Sequence, residues 1–138
     1  MYNVLICDDD KAILNSIEIY LNMEGYKPFL AANGREALKI IEENEIHCIV
    51  LDITMPELDG LQTTLEIRKS KNIPIILLSA KSEDTDKITG LGFGADDYVT
   101  KPFNPLELTA RVKSQIRRYC SLGSLEKKQG VIANGGLC

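Results

Sequence analysis

Hydrophobic positions in this chain form short uninterrupted runs, separated by longer segments in which they recur at helical spacing. The apolar runs predict strands near 2–7, 27–31, 48–51, 74–78 and 98–100. The segments between them predict helices over 11–23, 35–43, 61–70, 84–91 and from 105 onward. This alternation is typical of an α/β fold in which repeated βα units surround a parallel sheet.

Single residues refine this outline. Asn104 is predicted to cap the last helix, because Pro105 follows it and Glu107 lies three residues after the cap. Pro28 places the second strand at a sheet edge, where a missing N–H is tolerated. His47 is interpreted as a turn or surface residue without a ligand role.

Groups that can handle phosphate follow four of the strands. Asp8 and Asp9 follow the first strand, and Asp52 follows the third. Ser79 and Lys101 follow the fourth and the fifth. In an open parallel sheet, ligands gather outside the carboxyl ends of the strands. We therefore expect these side chains to share one crevice.

Three carboxylates in one crevice predict a bound divalent cation. Two unit charges in contact repel by about 4 kcal/mol at an effective dielectric constant of about 20. Mg²⁺ takes oxygen ligands and commonly acts with phosphate, so Mg²⁺ (or Mn²⁺) is the predicted cofactor. Asp9 and Asp52 are the expected direct ligands, Asp8 binds directly or through a water, and the Thr54 carbonyl completes the set. An isolated acid could instead cap a helix, and Asp10 fits that description.

The same residues suggest a reaction. Asp52 is the predicted nucleophile, since a carboxylate can attack phosphorus to give an acyl phosphate. Lys101 would pair with Asp52 and then with a phosphoryl oxygen, to which Ser79 would donate a hydrogen bond. The Lys101-Pro102 peptide bond is predicted to be cis. Each residue alone also fits a turn, a surface or a local backbone role, but their coincidence favours phosphate chemistry.

Composition limits the remaining possibilities. The chain has 138 residues, 44% of them hydrophobic and 26% charged, as expected for one globular domain. A net charge of -4 argues against a broad basic face for nucleic acid. The apolar runs are strand-sized and no signal segment opens the chain, so we expect a cytoplasmic protein without membrane contact. Polar residues over 121–130 predict a linker, which divides the chain into 1–120 and 121–138.

Five motifs together resemble the receiver domain of bacterial two-component response regulators. In chain order they are Asp8-Asp9, Asp52, Met55-Pro56 with Asp59-Gly60, Ser79-Ala80 and Lys101-Pro102-Phe103. The resemblance extends from about 4 to 118. It implies a flavodoxin-like (βα)5 fold, with a parallel five-stranded sheet of order 2-1-3-4-5 and helices on both faces.

The resemblance also implies a function. A sensor histidine kinase would donate a phosphoryl group to Asp52, with Mg²⁺ held by Asp8, Asp9, Asp52 and the Thr54 carbonyl. Ser79 would then turn toward the phosphoryl group, Tyr98 would swing inward, and Lys101 would pair with the phosphate. This is a two-state switch biased by one charge change. Taken alone, Tyr98 could be an outward strand residue. The chain would not be an enzyme beyond phosphorylating and dephosphorylating its own aspartate.

The last third of the chain resembles the OmpR/PhoB class, whose effector is a winged-helix DNA-binding domain. The matching segments are Gly94-Ala95-Asp96-Asp97-Tyr98, Glu107-Leu108, Ala110-Arg111 and Arg117-Arg118. Such receivers form homodimers when phosphorylated, through the fourth predicted helix, the fifth strand and the fifth helix. The implied dimer face comprises Lys87, Asp96, Asp97, Glu107, Arg111 and Arg118, with ion pairs Lys87–Glu107 and Asp97–Arg111. A solvated charged face is the alternative, in which each exposed pair contributes about 0–1 kcal/mol.

These resemblances give a main hypothesis and its rivals. Residues 130–138 look like the opening strand of a DNA-binding domain, through which alone the protein would contact DNA. The alternative is a stand-alone receiver that acts by protein contacts. A metal-dependent phosphatase is disfavoured, because Thr54 stands where its second acid would be. A degenerate receiver is disfavoured because every site residue is present.

Overall fold

The centre of the fold is a sheet of five short strands. The computed structural model describes residues 2–53, 59–80, 92 and 94–130, and for 121–130 the backbone alone. The strands are β1 (Asn3–Cys7), β2 (Lys27–Ala31), β3 (Cys48–Asp52), β4 (Ile75–Ser79) and β5 (Asp97–Thr100). Every residue of β3 and β4 is buried, as expected for strands inside a parallel sheet covered on both sides.

The strands run parallel in the order β2-β1-β3-β4-β5, which confirms the predicted order. Pro28 lies in the edge strand β2, as predicted. The register pairs Cys7 with Leu51 and Ser79 with Thr100. The strand ends therefore reach one side of the sheet, here called the carboxyl edge, and the strand starts form the opposite amino edge.

Four helices are described, and all of them begin at the carboxyl edge. They are α1 (Lys11–Met23), α2 (Gly34–Glu43), α3 (Gly60–Arg68) and the C-terminal helix (Pro105–Gly130). The side chains of Asp10, Asn33, Asp59 and Asn104 accept a backbone hydrogen bond from the first turn of these helices. The predicted cap roles of Asp10 and Asn104 are thereby confirmed. The helix predicted over 84–91 lies outside the described residues.

Apolar side chains form a core on each face of the sheet. On one face, Ala37 and Ile41 of α2 and Ile67 of α3 pack against the strands. On the other face, α1 and the C-terminal helix contribute Leu14, Ile17, Leu21, Leu108, Val112 and Ile116. Burying one such large side chain contributes about 1.5–3 kcal/mol, so the cores on both faces stabilise the sheet. The predicted flavodoxin-like fold with helices on both faces is confirmed.

The C-terminal helix continues to Gly130, through the segment whose composition predicts a linker. Residues 126–129 are Glu, Lys, Lys and Gln, which are good helix formers even though they are polar. The division of the chain at residue 120 stays a prediction. Within the described part of the chain, no helix is both long enough and apolar enough to span a membrane.

Candidate functional site

Three carboxylates meet at the carboxyl edge. Asp8 follows β1 and Asp52 ends β3, with exposed fractions of 0% and 2%, while Asp9 is exposed. One carboxylate oxygen from each of the three lies within 4.8 Å of the others. Asp8 is held by its N–H, which donates to the Ala31 carbonyl, and by its Oδ1, which accepts from the Asp10 N–H at 2.9 Å. The structure brings the predicted acid cluster together.

Lys101 reaches the same cluster from the far end of β5. Its Nζ lies 3.0 Å from Asp8 Oδ2 and 3.4 Å from Asp52 Oδ1. Its backbone N–H donates to the Ser79 carbonyl at 2.7 Å, and its peptide bond to Pro102 is cis, as predicted. Burial lowers the pKa of Lys101, but the hydrogen bond to Asp8 and the charge of Asp52 outweigh burial, so the net pKa is raised. The ammonium therefore stays charged.

Ser79 ends β4 at the carboxyl edge, beside β5. It is 2% exposed and pairs in register with Thr100, the residue before Lys101. Its hydroxyl thus belongs to the strand end next to Asp52, since Asp52 pairs with Leu78.

The predicted carbonyl ligand Thr54 lies outside the described residues. The backbone of Ile53, the residue before Thr54, is held against β4, because the Ile53 N–H donates to the Leu78 carbonyl at 2.9 Å.

The cluster has a surplus of negative charge. Among the described residues, the Lys101 ammonium forms ion pairs with two of the three grouped acids, Asp8 and Asp52. Oxygen donors gathered at this spacing, two of them buried, suit a hard divalent cation such as Mg²⁺. The residues present therefore fit the metal that the sequence predicts.

Tyr98 lies inward. Its side chain is 8% exposed and belongs to the apolar cluster on the face covered by α2 and α3. In register it pairs with Leu77 of the neighbouring strand β4. The interpretation of Tyr98 as an outward strand residue is therefore wrong for this structure. Its role as a switch stays a prediction.

Several residues of the predicted dimer face pair within one chain. Both Asp97 carboxylate oxygens accept from Arg111 Nη1, at 2.9 and 3.0 Å. Arg111 Nη2 also lies 3.2 Å from Glu107 Oε1. Arg118 is exposed on the C-terminal helix, and Lys87 lies outside the described residues. The Asp97–Arg111 pair thus exists without a partner subunit.

Asp96, also predicted on the dimer face, pairs with a residue that the sequence analysis missed. Arg68, in the last turn of α3, donates from Nη2 to Asp96 Oδ2 at 2.7 Å. Its Nε donates to the Gly94 carbonyl and its Nη1 to the Ile73 carbonyl. A basic residue in the last turn of a helix is a weak sequence signal. It does not reveal a partner 28 residues away.

The interpretation of His47 as a surface residue is wrong. Its exposed fraction is 6%, and its ring lies edge-on to Tyr2 with 5.1 Å between ring centres. Nδ1 accepts a hydrogen bond from the Asn3 N–H at 3.0 Å. Burial is the main cause of its lowered pKa, which the nearby Glu45 charge opposes. His47 is a structural residue of the amino edge, far from the acid cluster.

Comparison with known families identifies the family of this chain. The family model for the response regulator receiver domain matches residues 4–113. The chain belongs to this family.

Two curated relatives that it matches are named as regulatory proteins. VanR of Enterococcus faecium is 47% identical over 135 residues, which are 97% of this chain and 58% of VanR. VanRc of Enterococcus gallinarum is 48% identical over 116 residues, 84% of this chain and 50% of that protein. The chain thus spans about half the length of these relatives.

Solved receiver structures share the fold. The receiver domain of the Francisella response regulator 1452 is 41% identical with a TM-score of 0.82, covering 86% of this chain and 98% of that one. DrrB of Thermotoga maritima, described as an OmpR/PhoB homolog, is 36% identical with a TM-score of 0.79, covering 86% and 54%. TrrA of the same organism, solved in complex with Mg²⁺ and a beryllium fluoride, is 39% identical with a TM-score of 0.75, covering 83% and 99%.

Proposed function

We propose that Asp52 accepts a phosphoryl group from the phosphohistidine of a sensor histidine kinase. The observation that carries this proposal is the position of the buried Asp52 carboxylate. It lies 3.4 Å from the Lys101 ammonium and in one oxygen cluster with Asp8 and Asp9. A buried strand end that presents a carboxylate to a cation and to a metal-binding cluster has the parts that phosphoryl transfer requires.

The reaction needs little from the protein beyond positioning. An Asp52 Oδ attacks phosphorus, the new O–P bond forms, and the N–P bond to the kinase imidazole breaks, leaving the electron pair on that nitrogen. Lys101 already contacts both buried acids, and it would neutralise a phosphoryl oxygen on Asp52. Ser79 lies at the neighbouring strand end, from which its hydroxyl would donate a hydrogen bond to that group.

Mg²⁺ (or Mn²⁺) is the proposed cofactor. Asp8, Asp9, Asp52 and the Thr54 carbonyl would hold it, and when bound it would shield charge on the transferring group. The grouped carboxylates of this chain and the Mg²⁺ complex of TrrA support this proposal. Asp8 and Asp52 would bind the metal with little rearrangement, because the sheet and their hydrogen bonds already fix them.

Phosphorylation would act as a conformational switch. Ser79 would move toward the phosphoryl group and Tyr98 would be held in its inward position, which shifts an existing two-state equilibrium. The charged side chains of β5 and the C-terminal helix would then re-pair across a homodimer. The predicted face consists of Lys87, Asp96, Asp97, Glu107, Arg111 and Arg118.

We place the chain in the OmpR/PhoB class, where it would control transcription through a winged-helix domain that follows residue 120. The likeness to DrrB and the naming of VanR as a regulatory protein support this assignment. The chain would not be an enzyme in the usual sense, since it would take up one phosphoryl group on its own aspartate and later lose it to water.

Intact-mass measurement tests the proposal. We expect the wild type, incubated with acetyl phosphate and Mg²⁺, to gain one phosphoryl group, and Asp52→Asn to gain none. Asp10→Asn is the matched control, because this neighbouring acid serves as a helix cap and Asn caps equally well. Uptake by Asp52→Asn at the wild-type rate would contradict the proposal. Sustained release of phosphate from a generic ester would point instead to a phosphatase.

A further inference from the structure

Helix α3 begins directly against the backbone of Asp52. The Gly60 N–H donates to the Ile53 carbonyl at 2.9 Å. A Cβ at Gly60 would collide with the Asp52 carbonyl oxygen and lie 2.8 Å from Ile53 Cα and 2.9 Å from the Asp52 carbonyl carbon. All three atoms belong to the backbone, so no side-chain rotation could relieve the contact. Position 60 therefore requires glycine, because the backbone of Asp52 and Ile53 comes too close to leave room for a side chain.

Other glycines of the described chain provide a contrast. Nothing lies within 4 Å of a Cβ added at Gly25 or Gly92. At Gly94 the nearest atom is Arg68 Cγ at 3.0 Å, which belongs to a side chain and not to the backbone. At Gly60, by contrast, the obstacle is the main chain of the proposed phosphoacceptor.

Neither partner in this contact can move freely. The end of β3 is held in the sheet, because Asp52 pairs with Leu78 and the Ile53 N–H donates to the Leu78 carbonyl. The first turn of α3 is held by the Asp59 cap on the Gln62 N–H at 2.8 Å. The buried Thr64 hydroxyl also donates to the Gly60 carbonyl at 2.8 Å. A methyl group at position 60 would therefore have to displace one of two fixed segments.

We infer that Gly60 is a positioning residue for Asp52. By carrying no side chain, it lets α3 rest on the Asp52 backbone and so sets the distances from the Asp52 carboxylate to Lys101 and to Asp8. This inference rests on the proposed role of Asp52 as phosphoacceptor. Transfer to a carboxylate depends on such distances, since a misplacement of about 1 Å can slow a reaction about 100-fold.

The test compares Gly60→Ala with two controls. Gly92→Ala adds the same methyl group in open space. Ile67→Val removes a buried methylene from the same helix and costs about 0.5–1.5 kcal/mol of stability without touching Asp52. For each protein we would measure the rate of phosphoryl uptake from acetyl phosphate, the Mg²⁺ dissociation constant by calorimetry without phosphodonor, and the thermal midpoint.

We expect Gly60→Ala to slow uptake by about 100-fold and to weaken Mg²⁺ binding by about 10-fold. Both controls should keep the wild-type rate, although Ile67→Val melts earlier. Uptake by folded Gly60→Ala at the wild-type rate would overturn the inference. Failure of the wild type itself to take up phosphate would instead remove the proposed function.

A second pair of variants decides the matter if Gly60→Ala does not fold. Asp59→Ala removes the cap that holds the first turn of α3, while Asn33→Ala removes the equivalent cap of α2, whose bond to the Glu36 N–H is 2.9 Å. Each loss costs about 1 kcal/mol. Slower uptake by Asp59→Ala than by Asn33→Ala supports the inference, and equal rates overturn it.

Discussion

The polar groups at the two edges of the sheet differ in how their charges are balanced. At the amino edge, Arg68 donates to Asp96 and to three backbone carbonyls, and His47 accepts from a backbone N–H as a buried base with a lowered pKa. At the carboxyl edge, Lys101 faces Asp8 and Asp52, with Asp9 beside them. No buried side-chain nitrogen or oxygen of the described residues lacks a hydrogen-bond partner. The edges therefore differ in charge balance, and hydrogen bonding is satisfied at both.

Because of this difference, we expect the amino edge to contribute to stability alone and the carboxyl edge to bind a cation as well. A balanced group such as the Arg68–Asp96 pair is complete without a ligand. The acid cluster keeps a surplus of negative charge that a cation can neutralise, and like charges held close together raise the free energy of the metal-free protein. Binding of a metal and stability should therefore be linked at the carboxyl edge alone.

The largest effect is expected from Lys101→Met. Removing the ammonium removes the ion pairs that it forms with the buried Asp8 and Asp52, so the free energy of unfolding should fall by about 3 kcal/mol without metal. Mg²⁺ at about 100 times its dissociation constant should restore about 2.7 kcal/mol. Urea denaturation with and without Mg²⁺ measures both values.

Lys113→Met is the matched control for Lys101→Met, because Lys113 is an exposed lysine on the C-terminal helix. It should change stability by less than about 0.5 kcal/mol in either condition. Equal destabilisation of the two variants would show that the carboxyl edge carries no unbalanced charge.

A smaller effect is expected at the amino edge from Arg68→Met. This change removes the Arg68 donor from the Gly94 and Ile73 carbonyls and from the Asp96 carboxylate, which keeps its hydrogen bond from the Ile75 N–H, at a cost of about 2 kcal/mol. Mg²⁺ affinity should stay at the wild-type value, since Arg68 belongs to the other edge. Calorimetric titration with Mg²⁺ checks this, and a weakened affinity would mean that the edges are coupled.

The smallest effect concerns pH. Burial holds the pKa of His47 below its ordinary value of 6.5, so the unfolded chain binds a proton more readily than the folded one. Stability should be complete above about pH 6.5 and fall as the pH drops from 6.5 toward the folded pKa, by at most about 1.4 kcal/mol per pH unit. Thermal midpoints between about pH 5.5 and 7.5 measure the slope.

His47→Gln provides the comparison for that slope. His47 is the single histidine of the chain, and Gln does not titrate in this range. The slope should therefore vanish in the variant. An unchanged slope would assign the pH dependence to another group.

The pattern of hydrophobic and polar residues predicted the sheet well, because its strands are continuous apolar runs. Predicted bounds such as 48–51 differ by a single residue from the observed β3 (Cys48–Asp52), and the polar residue after each strand predicted where the acids meet. Long-range contacts away from these strand ends were missed. His47 accepts a hydrogen bond from Asn3, 44 residues away, and no residue near His47 in the sequence indicates this contact. Gly60 was noticed only as part of a motif, because close approach to Asp52 is a property of the packed backbone.

The common starting edge of the four described helices has an electrostatic consequence. Peptide dipoles in each helix sum to roughly half a positive charge at its beginning. The first turns of α1, α2, α3 and the C-terminal helix therefore polarise the carboxyl edge positively, while the helix ends polarise the amino edge negatively. This field favours anions at the carboxyl edge even before any side chain is considered. It makes a crowded set of carboxylates, and a phosphoryl group added to them, less costly there than anywhere else on the sheet.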